Sequence, residues 1–295
     1  VRPATAAEAL NGLIRVRPHG WLASPLPTTP AAAAGRLRTV LAQDHTDHPA
    51  ADGPLRVLAA RATAAVAALG EPPTAVLKHH ADTAAYDAEI LAYALVGHSP
   101  VLPRLLRSAD SSRSLLLEYL PHAFDWAPAD TPAALTDALA AVHAAPAALD
   151  PASAEALTPF RLDHLAAAPA PPWISDPAAW RTVTALCADA YGPGHIPVGH
   201  LDLKPEHVRH RRGESAVCLI DIETLRPDIT GLIDLITLPA VLRQAGRPTP
   251  SAEVRELYQT ATTRHGANWT TKTLRAALFA YQRATGLATL DGLAD

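Results

Sequence analysis

The sequence predicts an α+β protein of two lobes, a small, mainly antiparallel β lobe followed by a larger helical lobe. Three observations predict it. Between residues 55 and 119 short apolar runs broken by turn residues outnumber helical patterns, with one amphipathic helix among them. After Leu120-Pro121 the periodicity becomes helical almost throughout. At 295 residues the chain is near the length at which one core divides into two.

Taken in order, residues 1–50 read as an N-terminal extension, in which proline breaks at 18, 25, 27 and 30 precede one helix from Ala31 to Gln43. Leu37, Val40 and Leu41 give that helix an i, i+3, i+4 stripe. The small lobe is expected over residues 51–121. Its strands are Leu55 to Ala60, Thr63 to Leu69 and, after the turn Gly70-Glu71-Pro72-Pro73, Thr74 to His80. A helix from Asp82 through Val96 follows, with Tyr86, Ile90, Tyr93 and Ala94 on one face. Two more strands, Val101 to Arg107 and Ser114 to Tyr119, flank the polar turn Ser108 to Ser112. In the helical lobe, residues 122–295, proline at the first turn opens a helix from Thr131 to His143. Further helices are expected at Asp176 to Tyr191, Leu232 to Gln244, Ser251 to His265 and Thr271 to Thr285.

Composition bounds the function. A net charge of −4 gives no electrostatic case for nucleic acid or anionic membrane as a partner. No apolar run approaches the roughly 20 residues that span a bilayer. The N-terminal segment lacks the charged-then-apolar layout of a signal peptide, and two cysteines, Cys187 and Cys218, make no disulfide framework. A cytoplasmic protein is expected. Lysine is scarce: Lys78, Lys204 and Lys272 are the only three in a chain with 25 cationic Lys and Arg residues. Such usage keeps lysine for places that need a compact ammonium on a flexible stem.

One stretch looks like chemistry. His200-Leu201-Asp202-Leu203-Lys204-Pro205-Glu206-His207 forms a short proline-containing loop, and Asp221 follows the apolar run Ala216 to Ile220. Phosphoryl transfer from a nucleotide needs one carboxylate to orient the attacking hydroxyl and another to hold the metal that bridges the phosphates. Asp202 is the candidate for the first role and Asp221 for the second. Glu223 is a possible second metal ligand or a surface acid. The histidines His195, His200, His207 and His210 with these aspartates also admit a zinc or di-metal hydrolase site, although their spacing matches no helical H-E-x-x-H pair.

The segment resembles the catalytic loop of protein kinases, H-R-D-L-x-x-x-N with a downstream metal-binding aspartate. It is more similar still to the shorter version in aminoglycoside phosphotransferases, small-molecule kinases of the protein-kinase-like fold. The resemblance implies ATP or GTP, with magnesium, held between the lobes. It implies Lys78 on the phosphates with Glu89 as its helix partner, Asp87 being the rival acid. Residues Glu118 to Pro121, Glu118 and Leu120 among them, become the hinge whose backbone meets the purine. His200 becomes a buried support of the loop, and Lys204 lies near the transferred phosphate.

Two departures stand out. His207 occupies the place where the family carries a metal-binding Asn; imidazole is accepted reluctantly by magnesium and better by manganese. Macrolide phosphotransferases resemble this chain in having His there. The turn that should cover the phosphates, Ala59 to Ala64, contains no glycine, so Arg61 or Thr63 is left to replace the backbone contacts.

The activity implied is transfer of the γ-phosphoryl to a hydroxyl of a small molecule such as an aminoglycoside, a macrolide or another secondary metabolite. Alternatives are Ser/Thr of a biosynthetic peptide as acceptor, or an inactive kinase-fold binding partner. Asp228, Asp234, Glu253 and Glu256 place acids in the region expected to hold the acceptor. Asp234 also resembles the family's buried aspartate after the metal ligand.

Overall fold

The computed structural model describes residues 24–96, 99–145, 149, 151–211, 216–222 and 231–286. Nine α-helices and eight strands lie among them. Glu223 and Asp228 fall outside the described residues.

The five-stranded sheet is antiparallel throughout. It is built from β1 (Leu55–Ala60), β2 (Ala64–Gly70), β3 (Pro73–His80), β4 (Leu105–Ala109) and β5 (Ser114–Glu118), in the spatial order β1-β2-β3-β5-β4. The β4 strand begins later than the apolar run from Val101 suggests. Pro103 has no N–H to give to a ladder, and the Arg104 N–H goes to the Glu118 side chain instead.

The first helix, α1 (Pro30–Asp44), packs on one face of this sheet. Its stripe of Leu37, Val40 and Leu41 is buried against Ala65, Ala67, Leu69, Leu77 and Leu116. Each such side chain contributes roughly 1.5–3 kcal/mol by leaving water. The small alanines of β2 let the helix approach closely. Residues 30–44 are therefore part of the packing of the small lobe.

The other face carries α2 (Thr83–Val96). Tyr86, Leu91 and Leu95 join Leu115 and Leu117 of β5 in one core. That core continues into the helical lobe through Leu135, Leu139, Val208, Leu219, Leu238 and Leu242. The position of α2 is thereby fixed by both lobes.

After β5 the chain passes Leu120 into β6 (His122–Ala123), which pairs with β7 (Val208–His210), and β7 pairs with β8 (Val217–Leu219). This three-stranded sheet flanks the helices α3 (Thr131–His143), α4 (Pro151–Ala156), α5 (Leu162–Ala167), α6 (Pro177–Tyr191), α7 (Leu232–Gln244), α8 (Ser251–Arg264) and α9 (Thr271–Thr285). The two short helices α4 and α5 escape sequence reading because six residues show too little periodicity. The longer ones carry explicit ends. Asp176 caps α6 by accepting from the N–H groups of Ala178 and Ala179. Thr270 and Thr273 form a reciprocal capping box on α9, and Gly286 stops it at φ 68°.

Candidate active site

Strand alternation sorts the end of β3. Lys78 and His80 point to the α2 side, and His79 between them points to the opposite face. There His79 Nδ1 donates to the Ser112 carbonyl at 2.7 Å and Nε2 accepts from Arg36 of α1 at 3.2 Å. On the α2 side Glu89 meets both of its neighbours with one oxygen. Oε2 lies 2.9 Å from Lys78 Nζ and 2.7 Å from His80 Nε2. Glu89 is thus a helix acid that pairs with Lys78.

Lys78 reaches across to the helical lobe as well, donating to Asp221 Oδ1 at 2.7 Å. Burial pushes the Glu89 and Asp221 carboxyls up, and the Lys78 ammonium with their hydrogen-bond partners together outweighs it, so both are held below the usual carboxylate range. His80 adds its hydrogen bond at Glu89, and the hydrogen bond from Lys78 adds at Asp221. Asp221 has φ 65°, a left-handed conformation that a non-glycine residue adopts only under local constraint.

The loop 199–207 is held from below. Asp234, at the start of α7 and wholly buried, accepts from the backbone N–H of His200 at 2.6 Å and of Leu201 at 2.8 Å. Leu201 has φ 61°. His143 of α3 donates Nε2–H to Asp234 Oδ2 at 2.9 Å, and its Nδ1 meets the Tyr258 hydroxyl at 2.7 Å. Tyr258 is bonded in turn to the Tyr191 hydroxyl. Burial raises the Asp234 carboxyl, but His143 and the loop N–H groups win and keep it ionised. Burial pushes both phenols upward, so they stay neutral.

Asp234 is thus a support of the loop and not an acid facing an acceptor. Glu253 and Glu256 are exposed on α8. Gly199 is required where it stands: a Cβ there would lie 2.8 Å from Leu201 Cδ2 and 3.1 Å from Asp234 Oδ2.

Beside this support stand Asp202, Lys204 and His207. Asp202 is half exposed and accepts from Lys204 Nζ at 2.8 Å. That bond raises the Lys204 ammonium above its ordinary value, with the charge of Arg61 opposing. Arg61 belongs to the turn between β1 and β2. His200 is buried and donates Nε2–H to the Ile220 carbonyl at 2.8 Å.

His207 donates Nδ1–H to the Asp202 carbonyl at 2.8 Å. A carbonyl only accepts, so that nitrogen holds the proton and Nε2 carries the lone pair. Nε2 lies 3.6 Å from Asp221 Oδ2. One ligand atom each from Asp202, His207 and Asp221 fall within 4.8 Å of one another, the one such group among the described residues. Two carboxylates and an imidazole lone pair suit a divalent cation that also takes phosphate or water oxygens. The four-histidine site does not form, because His195 stacks on Tyr191 and His210 lies against Phe124.

At the hinge, the N–H groups of Glu118 and Tyr119 go to the carbonyls of Arg104 and Thr74. The Glu118 carboxylate is held by Arg211 at 3.0 Å and by Arg104. Leu120 is buried at the crossing between lobes.

Sequence reading overlooked His80 and the His143–Tyr258 support. His80 was within reach, since a residue two positions from a strand lysine shares its face. His143 and Tyr258 are 115 positions apart, and only the fold brings them together.

No protein-family model matches the chain, and no curated protein matches it. Solved structures do. An ethanolamine kinase from Plasmodium vivax shares 11% of its sequence, with 95% of this chain and 85% of that chain covered and a TM-score of 0.54. A choline/ethanolamine kinase family protein from Mesorhizobium loti is 16% identical over 84% of this chain and 82% of that one, with a TM-score of 0.49. A macrolide 2′-phosphotransferase from Brachybacterium faecium is 19% identical over 77% and 82%, with a TM-score of 0.45. At these identities the likeness is one of fold: the chain shares the α+β, kinase-like fold of the ethanolamine kinase, a small β lobe followed by a larger helical one.

Proposed function

We propose that the protein is an ATP-dependent phosphotransferase that moves the γ-phosphoryl group to a hydroxyl of a small molecule. The observation that carries this reading is the meeting of Lys78 with Asp221 at 2.7 Å, beside Asp202 and the lone pair of His207. A cation for phosphates, two carboxylates and an imidazole acceptor are the parts that phosphoryl transfer uses.

Each residue has a separate task. Lys78, held by Glu89, binds the α- and β-phosphates. Leu120 presents its backbone to the purine of ATP or GTP. Asp202 orients the acceptor hydroxyl and takes its proton as the acceptor oxygen bonds to the γ-phosphorus. The bond from that phosphorus to the bridging oxygen breaks, and the electron pair leaves with the nucleoside diphosphate. Lys204, now on Asp202, turns to the transferred phosphoryl group. Asp221 and His207 are suited to hold magnesium or manganese, which supplies charge neutralisation across the phosphates when bound. Arg61 adds a cation in a turn without glycine.

The acceptor class is a hydroxyl-bearing metabolite such as an aminoglycoside or a macrolide, seated on the helical lobe. A cytoplasmic location accompanies this reading; both cysteines are buried. The glycine-free turn favours a second reading, an inactive kinase fold that serves as a binding partner. Titration calorimetry of ATP with Mn²⁺ or Mg²⁺, followed by ATP turnover across a panel of alcohol acceptors, separates them. Saturable binding with acceptor-dependent turnover supports the enzyme, and binding without turnover on any acceptor supports the partner. A wild-type protein that binds no nucleotide overturns the phosphotransferase reading.

A further inference from the structure

The Glu89 side chain is almost wholly buried, and a single oxygen of it serves two donors, Lys78 Nζ at 2.9 Å and His80 Nε2 at 2.7 Å. His80 is itself 1% exposed. Its ring sits edge-on to Tyr86 at 6.4 Å, and Tyr86 is tied to Asp110 at 2.8 Å. The imidazole is therefore fixed on both sides. A lysine–glutamate pair needs no histidine to form, so the second donor calls for a reason.

Competition for the lysine supplies one. The Lys78 ammonium has three N–H donors and already meets two carboxylates, Glu89 and Asp221. Phosphate oxygens arriving at Lys78 draw on the same donors. Any donor that turns from Glu89 to phosphate leaves a buried carboxylate short of a partner, which is strongly unfavourable. His80 is buried, so its bond to Glu89 is shielded from an arriving phosphate.

We propose that His80 is a positioning residue for nucleotide binding, holding the Glu89 carboxylate in place while Lys78 engages the phosphates. The inference rests on the phosphotransferase reading and adds to it a residue that acts through Glu89. A polar chain then runs from the small lobe to the catalytic loop: His80 to Glu89, Glu89 to Lys78, and Lys78 to Asp221.

The test is ATP affinity with Mn²⁺, with KM and kcat alongside, for wild type, His80→Leu and His80→Gln, alone and combined with Glu89→Gln. His80→Leu removes the donor and is expected to weaken ATP binding on the order of tenfold while kcat at saturation changes little. His80→Gln restores an N–H of similar reach and is expected to recover most of that loss. In the Glu89→Gln background, where no buried charge needs holding, His80→Leu is expected to add nothing. Should His80→Leu not fold, His80→Asn, too short to reach Glu89, takes its place. Wild-type affinity in the variant lacking the donor, a lower melting temperature without a change in affinity, or effects that simply add to Glu89→Gln overturns the inference. Failure of the wild type to bind ATP removes the phosphotransferase reading, and this inference with it.

Discussion

His207 Nε2 faces Asp221 Oδ2 at 3.6 Å, on a ring whose other nitrogen is committed to the Asp202 carbonyl at 2.8 Å. The backbone of the proposed base therefore sets the tautomer that turns a lone pair toward the proposed metal ligand. An asparagine at 207 offers a harder oxygen and no such coupling. Wild type is expected to turn over at least as fast with Mn²⁺ as with Mg²⁺, and His207→Asn to shift the ratio toward Mg²⁺ by about tenfold. Turnover with each ion at saturating ATP checks this, and an unchanged ratio means that His207 holds no metal.

Asp202 stands in the half-exposed layer of the loop, and the buried layer beneath it is fixed by Asp234. Asp202→Ala is therefore expected to lower kcat by about 10²–10⁴-fold. ATP affinity and melting temperature should stay close to wild type. A variant that keeps most of its turnover shows that another group takes the proton.

Acid should destabilise the fold from an unusually high pH. His79 donates from Nδ1 to Ser112 and accepts at Nε2 from Arg36, so the folded ring is neutral. Burial, with the Arg36 charge second, lowers it to about 4 from 6.5. His195 is lowered to about 4 as well, chiefly by burial. A depressed histidine binds its proton in the unfolded chain first, so its stabilisation is complete above pH 6.5 and is lost as pH falls toward 4. Each group then removes up to about 1.4 kcal/mol per pH unit in that window. The lowered carboxylates Glu89, Asp221 and Asp234 extend the loss to lower pH, because their contribution is present above their unfolded values and disappears as they protonate. Thermal melts from pH 7.5 to 5 should show a falling midpoint, flattened in His79→Gln. A midpoint independent of pH above 5 contradicts the assignment.

Much of this was legible in the sequence, for a physical reason. Lys78, Asp202 and Asp221 sit at ends of apolar runs or inside a proline loop, where local pattern makes a charged residue stand out, and the fold brings them to one place. The helices at 131–143, 232–244 and 271–285 have the bounds their periodicity predicts. What the sequence hid depends on distant pairing. The role of α1 is visible only when Leu37 and Val40 meet the alanines of β2. Asp234 read equally as an acceptor-facing acid until the N–H groups of His200 and Leu201 were found on it.

Gly231 offers the sharpest test of that buried support. Its φ is −68°, which any residue adopts, so alanine there meets no backbone penalty. A Cβ would nevertheless lie 2.7 Å from His143 Cδ2 and 2.8 Å from Cγ and Nε2. The ring cannot yield freely, because Nε2 is held by Asp234 and Nδ1 by Tyr258. Displacing it leaves the Asp234 carboxylate with the two loop N–H groups and without its histidine. Gly231→Ala is expected to destabilise the protein by about 1–3 kcal/mol, the range for overpacking a well-filled site. It should also lower kcat while leaving ATP affinity near wild type, since the loop carrying Asp202 loosens and the Lys78–Glu89 pair lies elsewhere. Denaturant unfolding together with ATP titration reads both effects. A variant as stable and as active as wild type shows that the His143–Asp234 contact does not hold the loop.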